Sequence, residues 1–203
     1  MTALRPRNAP ILPERTALLI IDAQKGICAP RPGVPPTFYE AMFGTVIPNL
    51  VRLRAAARIA GVEVLYTVIE SLTADGRDRS LDYKLTGFHF PPGSEETRMV
   101  DDLAPGHDEI VLPKSSSSPF NSTVLDYLLR NLGKDAVIVG GFQTDQCIDH
   151  TVRDGADRGY EMICPVDACA AKTPERHAAS LDAFKGYCRQ ATTAELIAEL
   201  SLR

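Results

Sequence analysis

Short apolar, β-branched runs alternate along the chain with longer stretches in which apolar residues recur every three or four positions. The short runs fall at 17–22, 63–69, 109–112, 136–139 and 161–165, with a weaker one at 190–193. Their length and composition predict strands buried on both faces. Helical spacing fills the intervals. Ile47, Leu50, Val51 and the run from Arg54 to Ala60 predict a helix that Gly61 stops. Val124, Leu125, Leu128, Leu129 and Leu132 predict a second, stopped by Gly133, and Leu181, Ala183 and Phe184 mark a third. Such alternation predicts one α/β domain over 1–203, a three-layer sandwich in which helices cover both faces of a mostly parallel six-stranded sheet. Residues 71–105 break the pattern. They are polar, hold several Gly and Pro, and exceed an ordinary connection, so a lid or substrate loop is expected there.

Composition narrows the partners. A net charge of −4 and a pI near 5.6 give no basic bias toward nucleic acid or acidic membranes. No apolar run approaches a membrane span, and Met1 to Glu14 is proline-rich without the apolar core of a signal peptide. A cytoplasmic location is expected. The five cysteines (Cys28, Cys147, Cys164, Cys169 and Cys188) are odd in number and form no Cys-x-x-Cys pair. Reduced thiols are therefore expected, rather than a disulfide framework or a zinc knuckle.

One of these thiols has a special setting. Cys147 follows the apolar run Ala136-Val137-Ile138-Val139 and the turn Gly140-Gly141-Phe142-Gln143, where a new helix would open. The positive end of a helix dipole and its unpaired N–H groups favour thiolate over thiol, so a lowered pKa is expected. Asp22 and Lys114 close two other strands. The carboxyl ends of parallel strands share one edge, where ligands bind, so carboxylate, lysine and cysteine should meet there as a nucleophile site. Cys28, Cys164, Cys169 and Cys188 lack this context and read as structural. Asp167 ends a strand on the same edge but is expected to satisfy backbone groups, and Thr144 and Asp145 to shape the turn.

The segments Ala17-Leu18-Leu19-Ile20-Ile21-Asp22-Ala23-Gln24, Leu112-Pro113-Lys114 and Gly141-Phe142-Gln143-Thr144-Asp145-Gln146-Cys147 resemble those of the isochorismatase-like cysteine hydrolases, a group with nicotinamidases, N-carbamoylsarcosine amidases and ureidoacrylate amidohydrolases. The resemblance runs from about Thr16 to Glu199. It implies that Asp22 takes the thiol proton, that Lys114 holds carboxylate and thiolate, and that Cys147 attacks an amide carbonyl to form a thioester. It further implies an oxyanion hole from the backbone N–H groups of Gln143 and Cys147, and a cis peptide between Phe142 and Gln143. Dimers or tetramers are expected from the same source.

Departures from the family sharpen the substrate. The nicotinamidase branch carries an Asp-x-His metal motif after its second strand, where this chain reads Tyr66-Thr67-Val68-Ile69-Glu70-Ser71. None of the histidines, His89, His107, His150 and His177, pairs at ligand spacing. No metal or other cofactor is expected, and nicotinamide is disfavoured. Glu70, Arg77, Tyr83 and Phe142 are the weaker candidates for substrate contact, the lid arginines for a carboxylate or ureido end. His89 lies in the expected lid, although a surface role is the plainer reading. The leading expectation is a metal-independent amidohydrolase for a small amide, ureido or N-carbamoyl compound. Two alternatives stand beside it: vinyl ether hydrolysis by acid catalysis from the aspartate, and a non-catalytic ligand-binding domain. No Gly-x-Gly-x-x-Gly follows the first strand to support the last.

Overall fold

The computed structural model describes residues 5–202, so the ends of the domain assignment and of the N-terminal reading, at 1–4 and 203, lie outside the described residues. In chain order the elements are β1 (Thr16–Ile21), α1 (Lys25–Cys28), α2 (Pro36–Ala41), α3 (Ile47–Ala60), β2 (Glu63–Ile69), α4 (Leu81–Thr86), β3 (Ile110–Lys114), α5 (Pro119–Ser122), α6 (Leu125–Asn131), β4 (Ala136–Phe142), α7 (Asp149–Asp157), β5 (Glu161–Pro165), β6 (Cys169–Ala170), α8 (Pro174–Phe184), β7 (Cys188–Ala191) and α9 (Thr193–Leu200). The main order of the sheet is β3-β2-β1-β4-β5-β7, and every pairing is parallel.

Strand β1 lies at the centre and is buried along its whole length. Its side chains alternate between two cores, as the period of a strand demands. Leu18 and Ile20 face α2, α3 and α9, where Phe38, Leu50, Leu53 and Leu196 pack. Ala17, Leu19 and Ile21 face α6, α7 and α8, with Leu125, Leu129, Val152 and Phe184. Two apolar faces on one strand are what made these runs continuous rather than alternating. Helix α3 ends at Gly61 in a left-handed conformation (φ 75°), the C-terminal stop read from the sequence.

Several boundaries differ from expectation, beginning with β1, which lies one residue earlier than 17–22 and leaves Asp22 just past its end. β3 runs two residues further, so Lys114 belongs to the strand, where it pairs with Ile69. β4 continues through both glycines to Phe142, because Gly140 and Gly141 still pair with Ile20 and Ile21. β7 lies two residues earlier than 190–193, as Cys188 and Arg189 pair with Met162 and Ile163. The sheet also gains a seventh strand, β6, whose two residues pair with Gly141 and Phe142 and are too few to carry a periodic signature.

The topology fixes where a site can form. The chain moves outward from β1 to β2 and β3 on one side, and β4 then returns to the other side. The β1/β4 junction is thus the switch point of an open sheet, and its carboxyl edge is the natural crevice. Residues 71–105 cross this edge. Their contacts include Val100 N–H to Ala23 O (3.0 Å) and Lys25 N–H to Arg98 O (2.8 Å). The Gln24 side chain pins them further, with Nε2 donating to Ile69 O and Glu96 O at 3.0 Å each.

Candidate active site

Asp22 leaves β1 with φ 55°, the one non-glycine residue in the left-handed region among the described residues. That backbone costs about 1–2 kcal/mol for an L-residue. Two contacts from β2 hold it: Asp22 N–H donates to Thr67 O (3.0 Å), and Thr67 Oγ1 donates to Asp22 Oδ1 (2.8 Å). Gly141 makes room alongside. Its φ is 127°, and a Cβ there would overlap the Ile21 carbonyl oxygen.

Lys114 is fully buried at the end of β3. Its Nζ lies 2.9 Å from Asp22 Oδ2 and donates to Tyr83 Oη (2.9 Å), Ser116 O (3.0 Å) and Cys147 Sγ (3.3 Å). A buried ammonium survives only when paired and hydrogen-bonded in this way. Burial works to strip its proton, but Asp22, Cys147 and Tyr83 together outweigh burial and hold the pKa well above the ordinary lysine value. Burial raises Asp22 above a normal carboxyl, with Lys114 and then Thr67 pulling the other way. Although Oδ2 is close to Nζ, it has no partner in hydrogen-bonding geometry, so a lone pair there is free to take a proton.

Cys147 overturns one expectation. It sits late in a π-turn, Thr144–Ile148, ahead of the regular helix α7, rather than at the open start of a helix. Its thiol is pushed up to about 11, not lowered. Burial is the largest cause; Lys114 draws the value down and Asp22 pushes it up. Desolvation of the anion therefore outweighs whatever the turn's N–H groups offer. The resting sulfur is a thiol beside an ionised carboxylate and an ammonium.

Tyr83 joins the same cluster. Ser80 caps α4 by accepting the Tyr83 N–H (3.2 Å), and the buried phenol comes within 3.7 Å of Cys147 Sγ. Because Lys114 donates to Oη, the phenolic hydrogen is free to turn toward sulfur. The peptide between Phe142 and Gln143 is cis. The Gln143 carbonyl accepts Gln146 N–H (3.1 Å) and Ile148 N–H (3.2 Å), which ties down the turn carrying the cysteine. Gln143, Gln146, Phe142, Phe88, Tyr83, Ile27 and Ile69 close around Asp22 and Cys147, leaving a cavity of about 10 Å³.

The remaining candidates fall elsewhere. Glu70 is half-buried at the end of β2, where its N–H donates to Lys114 O (3.1 Å), and its side chain does not line the cavity. Arg77 is exposed and paired with Asp75 at 3.1 Å. Asp167 does what was expected of it, its Oδ1 accepting Thr193 N–H (2.7 Å) and Oγ1 (2.8 Å). Thr67 was overlooked; a threonine hydroxyl in the middle of a buried, mostly apolar strand was its signal. No group of three or more His, Cys, Asp or Glu side chains among the described residues is placed to hold a metal ion, and no helix among them is long and apolar enough to cross a membrane.

Known proteins resemble this chain in sequence and fold. A family model described as an isochorismatase domain matches residues 16–196. A ureidoacrylate amidohydrolase of Pantoea ananatis is 30% identical over 190 residues, covering 85% of this chain and 76% of that protein. A solved cysteine hydrolase from Pseudomonas syringae pv. phaseolicola 1448A superposes with a TM-score of 0.86 at 29% identity, over 100% of this chain and 99% of that one. The structure of an N-carbamoylsarcosine amidase from Thermoplasma acidophilum gives 0.73 at 26% identity, over 88% and 96%.

Proposed function

We propose, for a chain that belongs to the isochorismatase family, that Cys147 is the nucleophile of a metal-independent hydrolase for a small amide, ureido or carbamoyl compound. One observation carries the reading: a single buried ammonium contacts both the carboxylate and the sulfur, at 2.9 and 3.3 Å. Moving a proton from sulfur to Asp22 leaves the buried charge unchanged in number. The anion passes from oxygen to sulfur, and Lys114 neutralises it in either place.

The steps follow from that pairing. The Sγ–carbon bond forms as the thiol proton passes to Asp22 Oδ2, and the carbonyl electrons move to oxygen. The backbone N–H groups of Gln143 and Cys147 receive that oxyanion. Collapse restores the carbonyl and breaks the C–N bond, Asp22 returns the proton to the departing nitrogen, and ammonia leaves an acyl group on Cys147, a thioester from an amide and a thiocarbamate from a ureido or carbamoyl compound. Water then attacks, Asp22 takes its proton, and the thiolate is expelled and reprotonated. The high pKa of Asp22 makes it a stronger base for this task than an exposed carboxylate.

Ammonia release across amides, ureido acids and N-carbamoyl amino acids, with and without chelator, tests the reading. Release that resists chelator and falls at least about 100-fold in both Cys147→Ser and Asp22→Asn is expected, with an acyl-enzyme trapped by intact mass. Turnover that survives Cys147→Ser but not Asp22→Asn would refute the nucleophile and favour acid–base chemistry by the aspartate.

A further inference from the structure

Two glutamines are buried on the carboxyl edge of the sheet, Gln24 after β1 and Gln143 after β4. Gln24 is tied at both ends of its amide: Nε2 donates to Ile69 O and Glu96 O, and Oε1 accepts the Ile69 N–H. Gln143 is not. Its Oε1 is buried without a hydrogen-bond partner among the described residues, and the residue is only 4% exposed. Its backbone carbonyl, by contrast, is fully used by the turn that carries the cysteine. An unpaired buried acceptor is costly, so a position that keeps one calls for an explanation.

The cavity at Cys147 supplies it. Among the described residues that line this space, two oxygens are buried and unpartnered: Gln143 Oε1 and Asp22 Oδ2. Both are acceptors, and a small space with two acceptors suits a nitrogen that carries hydrogen. Ile27, Ile69, Phe88 and Phe142 make the rest of the wall apolar, which raises the cost of leaving either oxygen bare. Gln143 is also the residue whose backbone N–H meets the oxyanion in the mechanism proposed above. Its side chain hangs from the same Cα, beside the carbon under attack.

We infer that Gln143 Oε1 accepts an N–H of the departing nitrogen, which makes this side chain the residue that selects an amide over an ester. This rests on the cysteine hydrolase reading for the nucleophile, and on the unpartnered oxygen for the hydrogen it recognises. In the tetrahedral intermediate the departing nitrogen carries two hydrogens and a lone pair. Holding one N–H on Gln143 turns the lone pair toward Asp22, whose Oδ2 now carries the former thiol proton. That proton passes to nitrogen, the C–N bond breaks, and ammonia departs. An ester oxygen carries no hydrogen, so it leaves Oε1 bare against a lone pair.

The test compares full-length wild type with Gln143→Met on carboxamides and carbamoyl compounds, each paired with the methyl ester or methyl carbamate of the same acyl group. Ammonia is read from one member of a pair and methanol from the other. Gln143→Met should lower the amide-to-ester ratio of kcat/KM by roughly 10- to 100-fold. Its melting temperature should match or exceed the wild-type value, because an unpaired buried oxygen has been removed. An unchanged ratio overturns the inference, whether both rates hold or fall together. So does a melting temperature lower by more than about 5 °C, which would mark a structural side chain. Where the wild type accepts the amide alone, the same fall in ammonia release is expected, and release within about threefold of wild type overturns the inference. Methanol release by the wild type with no ammonia from any partner overturns it as well, and leaves Cys147 standing as a nucleophile. Release of neither product overturns the hydrolase reading, and the inference with it.

Discussion

Removing the charge of Lys114 should cost more alone than together with its partner. The Lys114–Asp22 pair is separated by 2.9 Å, with the side chains 0% and 1% exposed. At an effective dielectric near 20 the gross attraction is about 6 kcal/mol, most of it offset by desolvation. Lys114→Met leaves Asp22 as an uncompensated buried anion, and Asp22→Asn leaves the ammonium without its carboxylate. Each is expected to lose about 3–5 kcal/mol, or roughly 10 °C of melting temperature for a domain of this size. The double variant leaves no buried charge, so its loss should fall short of the sum by about 2–4 kcal/mol. Urea unfolding of all four proteins at pH 7 reads this directly. Lowering the pH adds a check, because Asp22 in Lys114→Met escapes part of its penalty by taking a proton. That variant should gain on the wild type as pH falls. Losses that add to within about 0.5 kcal/mol would refute the claim that these two groups share one buried charge balance.

Two further outcomes follow from the same geometry. Gly141→Ala places a methyl group against the Ile21 carbonyl at a φ of 127°, so it should destabilise by more than about 3 kcal/mol and lower the yield of folded protein; thermal melting near the wild-type value would refute the close approach. Alkaline stability should depend on Cys147, whose thiol rises from 9.0 unfolded to about 11 folded. A raised acid stabilises the fold fully below pH 9 and loses that contribution as pH climbs toward 11, up to about 3 kcal/mol in all. Urea midpoints of Cys147→Ala across this range should fall less steeply than those of the wild type, and parallel slopes would count against a buried thiol.

Much of this was legible in the residues, and the misses share a physical cause. β2 and β5 have the bounds their runs predicted, since each starts at a half-buried glutamate, Glu63 or Glu161, and stays buried from there to its end. β7 was placed late because Cys188-Arg189-Gln190-Ala191 has neither alternation nor β-branching, and only pairing with β5 fixes its register. Asp22, Lys114 and Cys147 were readable as strand-end residues, and the switch point brings them together. The charge state of Cys147 was not readable. A helix dipole is a local property, whereas the burial that outweighs it is completed by Tyr83 and Phe88, which close over the sulfur from residues 71–105.

The void of about 10 Å³ at the sulfur has a chemical consequence of its own. A space that size holds about one water molecule, too little for a peroxide to approach Cys147 in line. A protonated thiol is also a poor reductant, since oxidation to sulfenic acid begins from the thiolate. The enclosed, protonated sulfur is therefore held in an oxidation-resistant form. On the proposed mechanism, any group larger than water reaches the sulfur only where Tyr83 and Phe88 give way, so substrate and oxidant share one entrance.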